Sequence, residues 1–321
     1  MQFSLPAEDL FLDLSNRAKL RLTGADRVRF LNGQVSNDMR AITAEQSVYT
    51  GVMTIKGKLC ADAFVHADGD SLVLDAPGEL RETLAARLER YIIADDVQIE
   101  DVTESLGLLH LINFKSAGLP PALAEPETGV RRVRSNRFHR EGIDLFFDAS
   151  RAHEVHAEVS AAGFTELNED ALESLRILLG VPRWGAELDE NTLPAEAGIE
   201  DRAVSFSKGC YIGQEVVSRI RSVGHVNRHL GGLRALDSSP LYAGMRLFLT
   251  DGSTGKEIGR VTSAAPSAGH GGAAFVALCY LRRDAAPPGT LLNAVATAEN
   301  ASEEVPPPCR VEVCPLPFPL P

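Results

Sequence analysis

Phe206-Ser207-Lys208-Gly209-Cys210-Tyr211-Ile212-Gly213-Gln214-Glu215 is the segment of the chain richest in chemistry. Two glycines flank a cysteine, a lysine stands two positions before it, and Gln-Glu follows. Glycine lets backbone approach a ligand closely. A nearby ammonium favours thiolate over thiol, and Gln with Glu can hydrogen-bond a polar heterocycle from two sides. The plainer reading of each part competes with this: a free cysteine is commonly a small buried hydrophobe, and a glycine pair commonly serves a turn.

Upstream of this segment, Ala171 to Leu179 reads as a helix, with Asp170 as N-cap, Glu173 three residues on, and Gly180 and Pro182 as the stop. Downstream, near His225 to Leu230, the grammar changes to short strands separated by Gly, Ser and Pro turns. The candidates are Met245–Leu249, Glu257–Ser263, Ala274–Tyr280, Leu291–Thr297 and Arg310–Cys314, which predict a small barrel. Asp251 to Lys256 lacks the spacing of a phosphate loop and reads as a hairpin turn.

The N-terminal half alternates strand and helix. Lys19–Leu22 is a strand, Asp26–Leu31 a short helix, and Asn32 to Asp38 a polar loop. Ala61–His66 and Ser71–Asp75 form a hairpin turned at Ala67 to Asp70. A helix from Glu79 to Ile93 carries Leu80, Leu84, Leu88, Tyr91 and Ile92 on one face. Leu106–Ile112 is a strand, Ala117 to Arg132 a Pro/Ala/Glu-rich connector, and Ile143–Phe147 a strand. Ser150 then caps a helix that carries Val155 and Val159 and closes at Gly163. This twice-given pattern predicts an α+β protein, a sheet with helices on one face.

At 321 residues the chain is long enough for two or three domains. The net charge of −12 argues against a bulk nucleic-acid binder. RNA contact would need a local patch, for which Arg131, Arg132, Arg134, Arg137 and Arg140 are candidates; a solvated loop is the competing reading. The N-terminus lacks an apolar signal core, and no apolar run approaches the roughly 20 residues of a membrane span. Five scattered cysteines predict reduced thiols and a cytoplasmic setting. They show neither cluster nor zinc spacing, and His225 and His229 stand where a glycine and strands replace a helix, so no metal site is expected.

The eight residues Lys208 to Glu215 resemble the signature of the YgfZ-type folate-binding proteins, a branch of the superfamily that includes the glycine-cleavage aminomethyltransferases. Other segments agree in order: Phe30 to Asp38; Leu175-Arg176 through Gly180 and Pro182-Arg183-Trp184-Gly185; Leu193-Pro194-Ala195-Glu196; and Gly259-Arg260-Val261-Thr262-Ser263. The resemblance runs from about residue 10 to residue 285. It implies a three-domain ring around a folate pocket. Residues 1–47 with 164–226 would form a split folate-binding domain, 48–163 an inserted domain, and 227–316 a β-barrel.

In the aminomethyltransferases an acid in a Gly-rich strand-entry loop positions the reactive nitrogen of folate. The matching segment here is Lys56-Gly57-Lys58-Leu59-Cys60-Ala61-Asp62: Asp62 keeps one acid of the family pair and Ala61 replaces the other. The family's Gly-Tyr-Thr-Gly-Glu is matched by Arg137-Phe138-His139-Arg140-Glu141-Gly142, with Glu141 as the counterpart of the glutamate and the flanking glycines replaced. Both departures favour the YgfZ-type branch over amino-methyl transfer.

That branch implies a tetrahydrofolate-binding accessory protein for iron–sulfur enzymes, with a linked effect on tRNA modification. The expected partners are folate and iron–sulfur client proteins, and the expected state is a monomer. The resemblance assigns Cys210 and Asp62 to the chemistry. It assigns Asn37, Asp62, Glu141, Glu196, Lys208, Tyr211, Gln214, Glu215, Arg219 and Arg228 to the cofactor. Guanidinium groups such as Arg219 and Arg228 suit the carboxylates of a folate tail. Cys210 stays open among nucleophile, transient sulfur or metal contact, and structural thiol. A folate-dependent aminomethyltransferase and a ligand-free scaffold are the alternatives.

Overall fold

The computed structural model describes residues 9–112, 129–237, 239–250, 255–266, 275–283, 286–296 and 308–318. The chain opens with β1 (Leu10–Asp13), β2 (Ala18–Thr23), α1 (Arg27–Gln34), β3 (Val48–Met53), β4 (Leu59–Asp68), β5 (Ser71–Ala76) and α2 (Arg81–Glu89). β6 (Gln98–Asp101), β7 (Leu106–Ile112), β8 (Arg131–Ser135), β9 (Gly142–Asp148), α3 (Ala152–Ala161) and β10 (Thr165–Glu166) follow. Next come α4 (Glu169–Leu178), α5 (Glu200–Ala203) and α6 (Gln214–Val223). The last strands are β11 (Arg228–Ala235), β12 (Arg246–Leu249), β13 (Gly259–Pro266), β14 (Phe275–Arg282), β15 (Leu291–Val295) and β16 (Cys309–Cys314).

Two compact units result, one taking Pro6–Asn168 with Ile199–Ser222, the other Glu169–Gly198 with Val223–Pro321. The first contains two five-stranded sheets, ordered β3-β4-β5-β2-β6 and β10-β1-β7-β9-β8. β1 and β2 precede residue 47, the boundary expected above, yet they pair with β7 and with β5, strands that follow it. Both sheets are therefore built from chain on either side of that boundary.

Alternation explains how these sheets meet. Leu106 and Leu108 of β7, Val133 of β8 and Phe146 of β9 pack with Val73 of β5 between the sheets. Leu109 and Leu111, pointing the other way, meet Val155 and Val159 of α3. A strand buried on both faces reads as a near-continuous apolar run, which is why Leu106–Ile112 was legible as a strand with the bounds observed.

Several sequence-based boundaries change, and Asn32 to Gln34, expected as loop, form the last turn of α1. The helix predicted over Glu79 to Ile93 ends at Glu89. Leu84 and Leu88 are buried, but Tyr91 and Ile93 are exposed, so its last turn has nothing to cover. Asp148, not Ser150, caps the turn leading into α3, its carboxylate accepting from the Ser150 N–H. Asp170 lies inside the first turn of α4, not at its cap. Most of the Ala117–Arg132 connector and of the Asp251–Lys256 turn lies outside the described residues.

In the second unit, β11-β14-β13-β12-β15-β16 closes into the expected barrel, with β11 joining β16. Leu233, Leu247, Val261, Cys279, Leu281, Leu292 and Val311 fill its interior. Ile177 and Leu178 of α4 pack on the outward residues Val276 and Leu278 of β14. Gly180 ends that helix with φ +68°, where a side chain would also press on Leu316. Two of the quoted motifs meet here: Arg176 donates to the Ser263 hydroxyl at 2.5 Å and to Glu187 at 2.9 Å.

Candidate functional site

The segments singled out in the first unit converge. Lys208 is buried, and its ammonium donates to the carbonyls of Asn32, Val35 and Asn37 at 2.6, 2.8 and 2.7 Å. The Ile212 N–H donates to the Gly33 carbonyl, and the Ser205 N–H to that of Ser36. Gly213 has φ +90°, and a side chain there would lie 2.6 Å from the Thr54 carbonyl and 3.2 Å from Gly57. Close approach at that glycine thus locks the β3–β4 turn against the start of α6. The polar loop, the strand-entry turn and the cysteine segment form one cluster.

Within it, several expected ligand groups are already occupied. An ammonium has three N–H donors, and all three of Lys208 end on carbonyls, leaving none for a thiolate or a ligand. Burial lowers its pKa to about 8. The Asn37 amide donates to the carbonyls of Tyr49 and Arg202, and its oxygen accepts from the Asp38 N–H. Asn37 is a brace between β3 and α5 and is not free to bind a cofactor. Gln214 and Glu215 are the first residues of α6, a helix that the sequence analysis missed by reading them as ligand groups. Val217, spaced from them along an amphipathic helix, is the overlooked signal.

Cys210 is exposed, with no hydrogen-bond partner among the described residues. It is held between Lys208 and Ile212, both anchored. Tyr211 is buried, and its hydroxyl has no partner among the described residues; burial raises it to about 12, so it remains a phenol. Glu141 and Arg219 are exposed.

Asp62 carries the strongest chemical signal. It lies on β4 opposite Gly51 and is 9% exposed. The Tyr49 hydroxyl donates to Oδ2 at 3.1 Å, while Oδ1 is buried without a partner among the described residues. Burial raises the Asp62 carboxyl above the ordinary range, offset in part by Arg17. Tyr49 stacks on Phe64 at 4.8 Å and lies under the Arg202 guanidinium at 5.1 Å. Arg202 is itself positioned by the Asn136 carbonyl at 2.6 Å. Tyr49 and Arg202 were not among the predicted site residues. Tyr49 was detectable as the aromatic two positions before Gly51 on the same strand face, whereas nothing in the sequence marks Arg202.

A second polar set was missed altogether. Arg137 is buried and donates to both oxygens of Asp75 and both of Asp144 at 2.7–3.0 Å. Asp144 also bonds His110 Nδ1 at 2.7 Å, and Arg17 pairs with Asp75. The five arginines expected as a basic patch therefore do not form one surface. Arg137 is internal, and Arg131 pairs with Asp68 at 2.6 Å.

In the barrel unit, Glu196 is buried and accepts from Arg228 Nε at 3.0 Å. Arg228 lies over the Tyr280 ring at 4.2 Å. No group of residues able to hold a metal ion occurs among the described residues.

No protein-family model matches the chain. It is 29% identical over 267 residues to a tRNA-modifying protein YgfZ of Yersinia pseudotuberculosis, covering 79% of each chain. A chloroplastic Arabidopsis thaliana protein, At1g60990, provisionally named a transferase, is 27% identical over 91% of this chain and 68% of its own. Among solved structures, the glycine-cleavage aminomethyltransferase T of Bartonella henselae superposes with a TM-score of 0.80 at 20% identity, covering 97% of this chain and 86% of that one. The chain is similar to the YgfZ proteins and has the fold of the glycine-cleavage aminomethyltransferase T. The expected closed barrel and mixed α+β architecture accord with that fold. No helix among the described residues is long and apolar enough to cross a membrane.

Proposed function

We propose that the chain binds a reduced folate, tetrahydrofolate or a one-carbon derivative, and acts as an accessory protein in the assembly or repair of iron–sulfur enzymes, with a linked role in tRNA modification. The observation that carries the folate reading is the Asp62 carboxylate, with one oxygen fixed by Tyr49 and the other buried without a donor. Leaving a buried acceptor unpaired costs roughly 1–3 kcal/mol, a cost that a ligand donor would remove. A pterin edge presents an amino group beside a ring N–H, donors that a single carboxylate accepts. Asp62 would orient that edge. The exposure of Cys210 supports a role toward a partner and argues against a structural thiol. The names of the Yersinia relatives support the link to tRNA modification.

Amino-methyl transfer is less well supported. The second acid of the family pair is Ala61, and the position of the family's Gly-rich segment is taken by Arg137, which is occupied with Asp75 and Asp144. Calorimetric titration with tetrahydrofolate tests the central claim. Saturable binding that survives Cys210→Ala and is lost in Asp62→Ala is expected; absence of binding by the unmodified protein would overturn the reading. Release of ammonia from a lipoyl-bound aminomethyl carrier would restore the transferase.

A further inference from the structure

Arg202 stands beside the Asp62–Tyr49 pair without a carboxylate of its own. Its guanidinium lies over the Tyr49 ring at 5.1 Å. Its Nη2 donates to the Asn136 carbonyl at 2.6 Å and to the Asn136 Oδ1 at 3.0 Å, while Nε and Nη1 have no hydrogen-bond partner among the described residues. The neighbouring guanidiniums differ: Arg17 is paired with Asp75, and Arg137 with Asp75 and Asp144. Asp201, next to Arg202 in the chain, pairs with Arg221 instead. Burial lowers the Arg202 pKa, the direction expected of a cation that no acid answers.

The pair is fixed before any ligand arrives. One side chain, the Asn37 amide, donates to the backbone carbonyls of both Tyr49 and Arg202, each at 2.9 Å. Phe64 holds the Tyr49 ring from another side at 4.8 Å. A tyrosine hydroxyl has a single proton to give, and Asp62 receives it, so Tyr49 is no donor to a ligand. Tyr49 thus joins an acceptor, Asp62 at its hydroxyl, to a donor, Arg202 over its ring face. All of these residues belong to one compact unit.

We infer that Arg202 reads the ring carbonyl of the pterin and so selects 2-amino-4-oxo heterocycles over 2,4-diamino ones. The inference rests on the folate reading above. Along the edge of a pterin come the amino group, the ring N–H and then the carbonyl, two donors followed by an acceptor. Asp62 accepts from the first two, and the oxygen that follows needs a donor. The unpartnered Nε and Nη1 of Arg202 supply it. An amino group in place of that oxygen would set N–H against N–H and leave the guanidinium unanswered. A site built to hydrogen-bond a ligand group rejects the analogue lacking it far more strongly than an apolar pocket does.

The test is calorimetry on the full chain with tetrahydrofolate and with its 4-amino counterpart, tetrahydroaminopterin, comparing the unmodified protein with Arg202→Met and Arg202→Gln variants. The unmodified protein is expected to bind the 4-oxo ligand about tenfold more tightly or better. Arg202→Met should bring the two affinities within about twofold of each other. Arg202→Gln, which keeps one amide donor, should leave an intermediate preference. The ratio of affinities decides, because a residue that only braced Asn136 would lower both alike. Equal or tighter binding of the 4-amino ligand by the unmodified protein would sink the inference and leave the folate reading standing. A preference that survives both variants would also sink it. No binding of either ligand would remove the folate reading and the inference with it. Binding of guanosine, which presents the same order of donors and acceptor, without binding of tetrahydrofolate would overturn both and give the pair to a purine.

Discussion

Tyr49 donates its hydroxyl to one carboxylate oxygen of Asp62 and leaves the other facing no donor. Burial raises the Asp62 carboxyl, so it stabilises the fold at acid pH, and that contribution is lost as pH rises through its raised value. Asp62→Asn should therefore raise stability at neutral pH by about 1 kcal/mol while weakening tetrahydrofolate binding about tenfold or more. Opposite signs in denaturant titration and calorimetry would mark a functional acid. Loss of both stability and binding would mark a structural one.

Lys208 is expected to act through the backbone. Lys208→Met removes three hydrogen bonds and leaves buried carbonyls unpaired, at a cost of about 2–3 kcal/mol. Hydrogen exchange should accelerate at the amides of residues 32–38 and 208–212 together. Unchanged exchange would return Lys208 to the ligand set.

Cys210→Ala should leave the melting temperature unaltered, because an exposed side chain outside special geometry contributes within about 0.5 kcal/mol. The same variant should fail to restore iron–sulfur enzyme activity in a deletion strain. Full rescue would strip Cys210 of its proposed role.

Arg137 governs the acid limit of the first unit. Burial alone would raise the Asp75 and Asp144 carboxyls, but the Arg137 charge holds both below the ordinary range. Such groups stabilise the fold above the ordinary carboxylate pKa, and that contribution is lost as pH falls below about 4. Arg137→Met should destabilise by about 3–5 kcal/mol at neutral pH and move acid unfolding to higher pH. An unchanged acid transition would refute the assignment.

Much of the fold was legible because its strands obey simple alternation, as β7 and β14 do, and because Gly180 stops α4 where an L side chain is strained. The site was legible in parts. Asp62 and Cys210 entered the proposed site through their motifs, but the motifs could not reveal that Lys208 and Asn37 are saturated by backbone. Such saturation depends on carbonyls some 170 residues away in the chain. Arg137 was hidden for the opposite reason: a run of arginines reads as surface, and only the pairing of sheets shows that one of them turns inward.

The anchoring of Lys208 and Ile212 sets the working radius of the thiol between them. Two residues of extended chain span no more than about 7 Å, and Cys210 is two residues from each anchor. The sulfur therefore cannot travel out to meet a distant acceptor. Any client must bring its own reactive centre to this surface, so recognition falls to the shape of the client and not to the swing of a carrier arm.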